Sequence, residues 1–574
     1  PARAPAPPTP PRPGALLRGI AASTGIALGP VRRLKPELEP STEPVAQAPE
    51  VEWQRLEAAR GTAREAIEHD RAEMARRGAG GEAAIFSAHL ALLDDEALLT
   101  RARTEIDAGA AAETAWRQAS EKTAEQWRAL DDELLRERAV DVEDTGRRVL
   151  AALAGRQPRA GLERKGVLVV SELTPGDAVA LDPELVQGIA TAHGTATAHA
   201  AILARALGLP AVVGLGLPVL AVEDGTPVLL DGSDGTVLVA PNEDAERQAR
   251  GKIERTVLRR RSELERAGEP ALTRDGTPVE VSANLGGAGD ASAAVALGAD
   301  GVGLLRTEFL FLDRPEIPTE QEQAQTLAEI ARALGGRPLI VRTLDVGADK
   351  PLPALPMAPE RNPFLGLRGV RLSLRQPELL AVQLRAILRV AAEHPVKVMF
   401  PMVASVAELE AVLAAVSEAR SATGVSAPME VGIMVEVPSA AVLAEQLARH
   451  VDFFSIGTND LTQYAMAAER GNELVADLLT GPQPAVLRLV RATTDGALAH
   501  HRWVGVCGEL AGDPAAALLL VGLGARELSM APPLVPAVKE ALRSVTLAEV
   551  TAAAEQALDA RDAVQARAFA ADLL

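Results

Sequence analysis

The first apolar runs of the chain are short and cut by glycine. "LLRGIAASTGIALGPVRRL", from Leu16 to Leu34, reads as strands separated by turns. From Val51 to Leu153 the period changes. "WQRLEAARGTAREAIEHDRAEMARR", "AAIFSAHLALLDDEALLTRARTEI" and "AAETAWRQASEKTAEQWRALDDELLRERA" carry apolar residues at helical spacing with few Gly or Pro. They predict a bundle of roughly four helices. Strand signals return at "GVLVVSEL" and run through "GIATAHG", "PAVVG" and "PVLLDGSDGTVLVAP". A small α/β domain therefore lies on both sides of the helical block, with the bundle inserted into it. The charged stretch Asp244–Ala267 then reads as one linker helix.

After Pro270, short apolar runs alternate with helices. The eight strand candidates are "VEVSANL", "GVGLLRTEF", "PLIVRTLDV", "VKVMFPMV", "VGIMVEVP", "DFFSIGTNDL", "WVGVCGEL" and "RELSMAP". Eight apolar strands separated by helices predict a closed (β/α)8 barrel of the TIM type. A doubly wound open sheet is the alternative, weakened because no GxGxxG follows a strand here and opens a helix. The expected organisation is a disordered Pro-rich extension (1–14), an α/β domain (15–43 and 154–243) and a helical domain between its parts (44–153). A linker helix (244–269) and the barrel (270–574) follow.

Composition narrows the function classes. The 574 residues are too many for one core. Lys and Arg number 59 against 78 Asp and Glu, a net charge of −19, and aromatics are 2% of residues. Both facts argue against a nucleic-acid partner, which needs positive charge or stacking platforms. The single cysteine, Cys507, excludes an internal disulfide framework and fits a reducing compartment. No run of about 18 apolar residues is present, so membrane insertion is not expected. The opening "PARAPAPPTPPRPG" lacks the apolar centre of a signal peptide. A cytoplasmic protein is the resulting expectation.

In the barrel reading, polar residues gather at one end. Arg306 follows "GVGLL", Arg342 and Asp345 follow "PLIV", and Glu436 follows "VGIMV". Asn459 and Asp460 follow "DFFSIGT", and Cys507 follows "WVGV". Reactive groups at the C-terminal end of strand after strand are what a barrel active site requires. Arg306, Arg342, Arg470 and Lys350 supply positive charge and donors suited to phosphate and carboxylate. Glu436 and Asp460 are either ligands for a hard cation such as Mg²⁺ or salt-bridge partners of the arginines. Cys507 is either a small buried residue or, with an ordinary pKa of about 8.5, a thiol able to donate a proton at neutral pH.

Several motifs match a family at length. "DFFSIGTNDLTQYAMAAER", "VGIMVEVP", "GVGLLRTEFLF", "VRTLDVGADK", "NPFLGLRGVR" and "VGVCGELAGD" resemble the phosphoenolpyruvate-utilising enzymes, most of all Enzyme I of the bacterial sugar phosphotransferase system. Upstream, "VLVVSELTPGDAVAL", "TAHAAILARALGLPAVVG" and "AAIFSAHLALLDDEALL" extend the resemblance over roughly Leu16 to the C-terminus. The resemblance implies that phosphoenolpyruvate, bound with Mg²⁺ in the barrel, phosphorylates His199 on a swivelling α/β domain. The phosphohistidine then passes the group to the carrier protein HPr, docked on the helical domain. It further implies that Glu436 and Asp460 hold Mg²⁺, and that Arg306, Arg342, Asn459 and Arg470 grip the phosphate with Lys350 assisting. Arg470 and backbone amides near Asn459 reach the carboxylate, Cys507 protonates the departing enolpyruvate to pyruvate, and Thr174 hydrogen-bonds the His199 ring. A homodimer formed through the barrel is implied too.

The histidine motif departs from the family's usual Gly-Gly-x-Thr-Ser-His-Thr, reading Gly194-Thr195-Ala196-Thr197-Ala198-His199-Ala200. "HAA" is closer to pyruvate phosphate dikinase and phosphoenolpyruvate synthase, but no Gly-rich nucleotide loop is present for those cousins' ATP module. His193 has no such motif support and reads as a capping or packing residue. The acidic run Asp94–Glu96 reads either as a surface for a basic carrier or as a solvated face. A catalytically inactive scaffold that binds HPr is the rival from another class. Retention of His199, Glu436, Asp460, Cys507 and the arginines argues against it.

Overall fold

The computed structural model describes residues 10–33, 46–76, 83–128, 139–155, 162, 164–173, 181–182, 184–194, 204, 208–312, 314–347, 352, 354–355, 357–358, 360–470 and 472–574. The chain divides into two compact units, Pro1–Val257 and Leu258–Leu574. No helix among the described residues is long and apolar enough to cross a membrane.

In the first unit one sheet gathers eight strands from both sides of a helical block. These are β1 (Leu16–Arg18), β2 (Ile20–Ser23), β3 (Ile26–Arg32), β4 (Gly166–Val170), β5 (Val186–Thr191), β6 (Ala211–Val213), β7 (Pro227–Asp231) and β8 (Thr236–Val239). Their order is β1-β8-β7-β3-β4-β5-β6-β2. The inner strands β3 to β6 pair in parallel, while β7, β8 and the edges β1 and β2 pair antiparallel. The buried parallel strands are near-continuous apolar runs, as "GVLVV" in β4, because both faces are covered. The Pro-rich opening is described from residue 10, and the Gly14 N–H donates to the Val239 carbonyl (2.7 Å).

The helical block holds five helices among the described residues: α1 (Pro49–Arg76), α2 (Ala83–Leu93), α3 (Glu96–Asp107), α4 (Ala112–Arg128) and α5 (Ala139–Leu153). The sequence suggested roughly four. The stretch from Ala83 to Ile106 is two helices, broken at Asp94 and Asp95. The Asp95 carboxylate accepts the Leu98 N–H (2.7 Å) as an N-cap, which stops α2 and starts α3. Trp116, fully buried, anchors α4 on α5 by donating its indole N–H to the Gly146 carbonyl (3.2 Å). A helix, α6 (Glu243–Glu265), crosses the division between the units.

The second unit is a closed barrel of eight parallel strands, as the sequence predicted, and not an open sheet. They are β9 (Glu280–Leu285), β10 (Val302–Arg306), β11 (Leu339–Arg342), β12 (Val396–Phe400), β13 (Val431–Val435), β14 (Phe453–Ile456), β15 (Trp503–Val506) and β16 (Glu527–Met530). β16 closes on β9 in register from Glu527 opposite Glu280 to Met530 opposite Ala283. Alternation sorts their side chains. Val281, Ala283, Val341, Val398 and Val506 join the large core beneath the outer helices. Leu304, Ile340, Met399, Met434, Phe453 and Cys507 form a separate cluster inside the barrel.

Candidate active site

The strand ends carry the chemistry. Arg306 and Arg342 are the last residues of β10 and β11, Glu436 follows β13, and Cys507 follows β15. Asn459 and Asp460 open the helix Thr458–Met466 directly after β14. All lie at the C-terminal end of the barrel, so five strands bring their groups to one face.

Arg342 is buried at this face. Its guanidinium donates to Glu308 (2.8 Å) and pairs with Asp345 (3.3 Å). Burial alone would weaken its charge, but the carboxylates of Glu308, Asp345 and Glu436 more than offset this and hold it firmly protonated. Arg368, also buried, donates to both Asp345 oxygens (3.2 and 2.8 Å) and lies 3.5 Å from Asp460. Its pKa is likewise raised, burial being outweighed by Asp345, Asp460 and Glu436. Arg470, itself exposed, pairs with Asp460 and donates to Gln463 Oε1 (3.1 Å). The mouth is thus a lattice of guanidinium and carboxylate groups, mostly withdrawn from water.

Glu436 is 1% exposed, and its Oε1 accepts the Met402 N–H (2.6 Å). Met402 reaches it from a left-handed backbone (φ 60°), a costly conformation for a residue with a side chain. Burial first, then Asp460 and Asp345, push Glu436 up to about 8, with Arg342 and Arg368 opposing. A buried carboxyl crowded by a second carboxylate is relieved by a divalent cation, and the oxygen donors suit Mg²⁺. That ion typically takes one or two carboxylates and completes its shell with water and substrate phosphate. Glu436 and Asp460 therefore fit the ion. Among the described residues no cluster of three or more His, Cys, Asp or Glu offers a full protein cage.

Arg306 is exposed and has no ion-pair partner among the described residues. Asn459 Oδ1 accepts the Glu509 N–H (2.9 Å) and its Nδ2 donates to Glu509 Oε1 (3.1 Å), tying the loop after β14 to that after β15. Cys507 is 3% exposed, and its Sγ lies 3.7 Å from the Ile456 carbonyl. Burial pushes its thiol up to about 12, so it is a protonated thiol at neutral pH.

Arg306, Arg342, Glu436, Asn459, Asp460, Arg470 and Cys507 thus gather at one end of the barrel. His199, Thr174 and Lys350 lie outside the described residues. His193 is described, and its backbone N–H donates to the Ser171 carbonyl (3.0 Å). The acidic run has intramolecular partners: Asp94 pairs with Arg64 (2.6 Å) and Arg60 (3.1 Å), and Asp95 caps α3. Sequence reasoning missed Glu308 and Arg368 as members of the site. Their signals were present, Glu308 two residues beyond Arg306 in "RTE" and Arg368 in "NPFLGLRGVR".

Comparison with known proteins places this geometry. The PEP-binding domain of the PEP-utilising enzymes matches residues 260–547, their N-terminal domain residues 18–138 and their mobile domain residues 162–235. A multiphosphoryl transfer protein of Xanthomonas campestris is 45% identical, the match covering 98% of this chain and 68% of the relative. The phosphoenolpyruvate-protein phosphotransferase of Geobacillus stearothermophilus is 41% identical over 90% of both chains. That of Bacillus subtilis is 38% identical over 90% of this chain and 92% of the relative. With three domain matches in order and relatives about 40% identical over 90% of the chain, the chain belongs to the PEP-utilising enzyme family, alongside these phosphoenolpyruvate-protein phosphotransferases.

Proposed function

We propose that the protein moves the phosphoryl group of phosphoenolpyruvate to His199 and then to the phosphocarrier protein HPr, releasing pyruvate. The observation that carries this reading is the lattice of buried arginines and carboxylates beside a protonated thiol at the barrel mouth. Arg306, Arg342, Asn459 and Arg470, with Lys350, bind and orient the phosphate. Arg470 is well suited because it is exposed, and its partner Asp460 gains a cation in exchange. Glu436 and Asp460 would hold Mg²⁺, which when bound would supply charge neutralisation to the phosphate.

The His199 imidazole attacks phosphorus, and the enol oxygen leaves with the electron pair of the broken P–O bond. Cys507 donates its Sγ proton to the methylene carbon, completing pyruvate. Phosphoryl transfer asks mainly for positioning and charge stabilisation, which these side chains provide. Thr174 fixes the His199 ring by a hydrogen bond. A homodimer through the barrel belongs to the same reading.

The test is intact mass under alkaline conditions, which preserve phosphohistidine, after incubation with Mg²⁺ and phosphoenolpyruvate. One phosphoryl group, absent in His199→Ala and discharged by added HPr, is the expected result. Labelling that persists in His199→Ala would give the role to another residue. Labelling from ATP would favour the dikinase-like alternative, for which the "HAA" flank speaks. No labelling from either donor would favour the inactive scaffold.

A further inference from the structure

The interior of a parallel barrel is ordinarily filled by layers of branched apolar side chains. Here one sector of the wall breaks that rule. On β9 the inward positions are Glu280, Ser282 and Asn284, and on the adjoining β16 they are Glu527 and Ser529. Their neighbours on β15 are Gly505 and Cys507. The five polar side chains form a column from the N-terminal floor of the barrel towards the thiol at its mouth.

Glu527 stands in the middle of this column, 2% exposed, with neither carboxyl oxygen hydrogen-bonded. The space it fills is left by two glycines. A Cβ on Gly303 would lie 2.0 Å from its Oε1, and one on Gly505 would lie 2.2 Å from its Oε2. Gly505 and Cys507 share a face of β15 two residues apart, which puts the carboxyl one step, roughly 7 Å along the strand, below the thiol. Opposite Glu527 in register stands Glu280, exposed at the start of its strand, whose Oε1 accepts the Ser282 hydroxyl (3.3 Å). Above it, the Ser529 hydroxyl donates to Asn284 Oδ1 (2.6 Å) and Asn284 Nδ2 donates to the Cys507 carbonyl (2.9 Å).

We propose that this column is a proton path, with Glu527 as a positioning residue that acts through Cys507 and restores its proton from the barrel floor. The inference rests on the reading of Cys507 as the proton donor to enolpyruvate. When the Sγ–H bond breaks and the C–H bond of pyruvate forms, sulfur keeps the electron pair as a thiolate. The Glu527 O–H then supplies a proton to sulfur and becomes a carboxylate. Solvent at the floor, through Glu280 opposite it in register, returns the proton to Glu527.

The charges support the direction of flow. Burial first, then Glu280, pushes Glu527 well above its ordinary value, with Ser282 and Lys397 opposing, so it is a carboxylic acid at rest. Burial, with the charges of Glu527 and Glu436, disfavours a thiolate at Cys507 against the opposing pull of Arg342, so a thiolate formed there takes up a proton readily.

The experiment is rapid-quench measurement of pyruvate with Mg²⁺, excess phosphoenolpyruvate and HPr as acceptor, on the whole chain. In Glu527→Gln, which keeps the shape but has no proton to give, the first turnover proceeds at the wild-type rate on the proton already held by Cys507. Later turnovers slow by about ten-fold or more, while discharge of preformed phosphohistidine to HPr is unchanged. The exposed Glu280→Gln gives the same pattern and decides the matter if Glu527→Gln does not fold. Unchanged later turnovers would overturn the proposal, since the thiolate would then be refilled from the mouth. A slowed first turnover would also overturn it, giving Glu527 a structural role. A normal first turnover in Cys507→Ala would instead remove the underlying reading of Cys507.

Discussion

Arg368 sits between two buried carboxylates, Asp345 and Asp460. It forks onto both oxygens of Asp345 and reaches Asp460, with less than a tenth of its side chain exposed. Removing it takes one positive charge out of a buried cluster and leaves Asp345 and Asp460 with one arginine each, Arg342 and Arg470. Breaking up a buried ion cluster typically costs more than the cluster contributes. Arg368→Ala should therefore destabilise the barrel by about 3–5 kcal/mol, read as a lower denaturant midpoint at unchanged slope. A loss below about 1 kcal/mol, the range of exposed pairs, would show that water already screens the site. Cys507 gives a second test. Burial pushes its native thiol up to about 12 from an ordinary value of 9.0. The native state then holds a proton that the unfolded state has lost, so this contribution to stability is complete below the unfolded value and falls as pH rises towards about 12. As the only cysteine, it can be followed by thiolate ultraviolet absorbance. No signal should appear in the native protein at about pH 9, and unfolding at that pH should bring it out.

At the scale of elements, two barrel helices start with a reciprocal capping box. Thr319 pairs with Glu322, and Thr546 with Glu549. The Thr319 backbone and side chain, with Arg314, hold Glu322 down to about 2. Arg274, then Thr546, does the same for Glu549. Both carboxylates are depressed on folding, so their contribution is present above the ordinary value of 4.5 and is lost as pH falls towards about 2. Urea midpoints at about pH 5 and about pH 3 should therefore differ less in Glu549→Gln than in the wild type. An equal difference would show that the box is open in solution.

The same scale explains what the sequence revealed. All eight barrel strands were legible because a wall covered by helices on one side and packed within on the other needs apolar runs ending in polar residues. The break between α2 and α3 was not, because Asp94 and Asp95 read equally as a solvated helix face and as a cap. Glu308 and Arg368 escaped notice because they stand beyond the strands, where no periodicity marks a residue, and only the fold brings them to Arg342 and Asp345. The column of Glu280, Ser282 and Glu527 sits inside strands that were recognised, yet the face of each residue depends on a barrel closure that local pattern does not encode.

Each of the two compact units has apolar cores of its own. The barrel's cluster runs from Ala271 to Ala570, whereas the clusters of the first unit lie between Ala22 and Val239. Units with separate cores melt separately unless a large apolar interface couples them. Calorimetry of the full chain should resolve two transitions, and a fragment comprising Leu258–Leu574 should reproduce one of them. A single transition, with the fragment unfolded, would show that the barrel depends on the first unit.

Chain order also sets a timetable on the ribosome. β1 to β3 are made before the whole helical block and must await β4 to β8, while the bundle helices meet near sequence neighbours and can dock as they emerge. In the barrel, the first strand made, β9, completes its pairing only with the last, β16. A nascent chain halted before Glu527 would already carry every arginine and carboxylate of the mouth, as well as the thiol. It would have no closed wall to hold them, so the chemistry of this protein is switched on in a single late event of its synthesis.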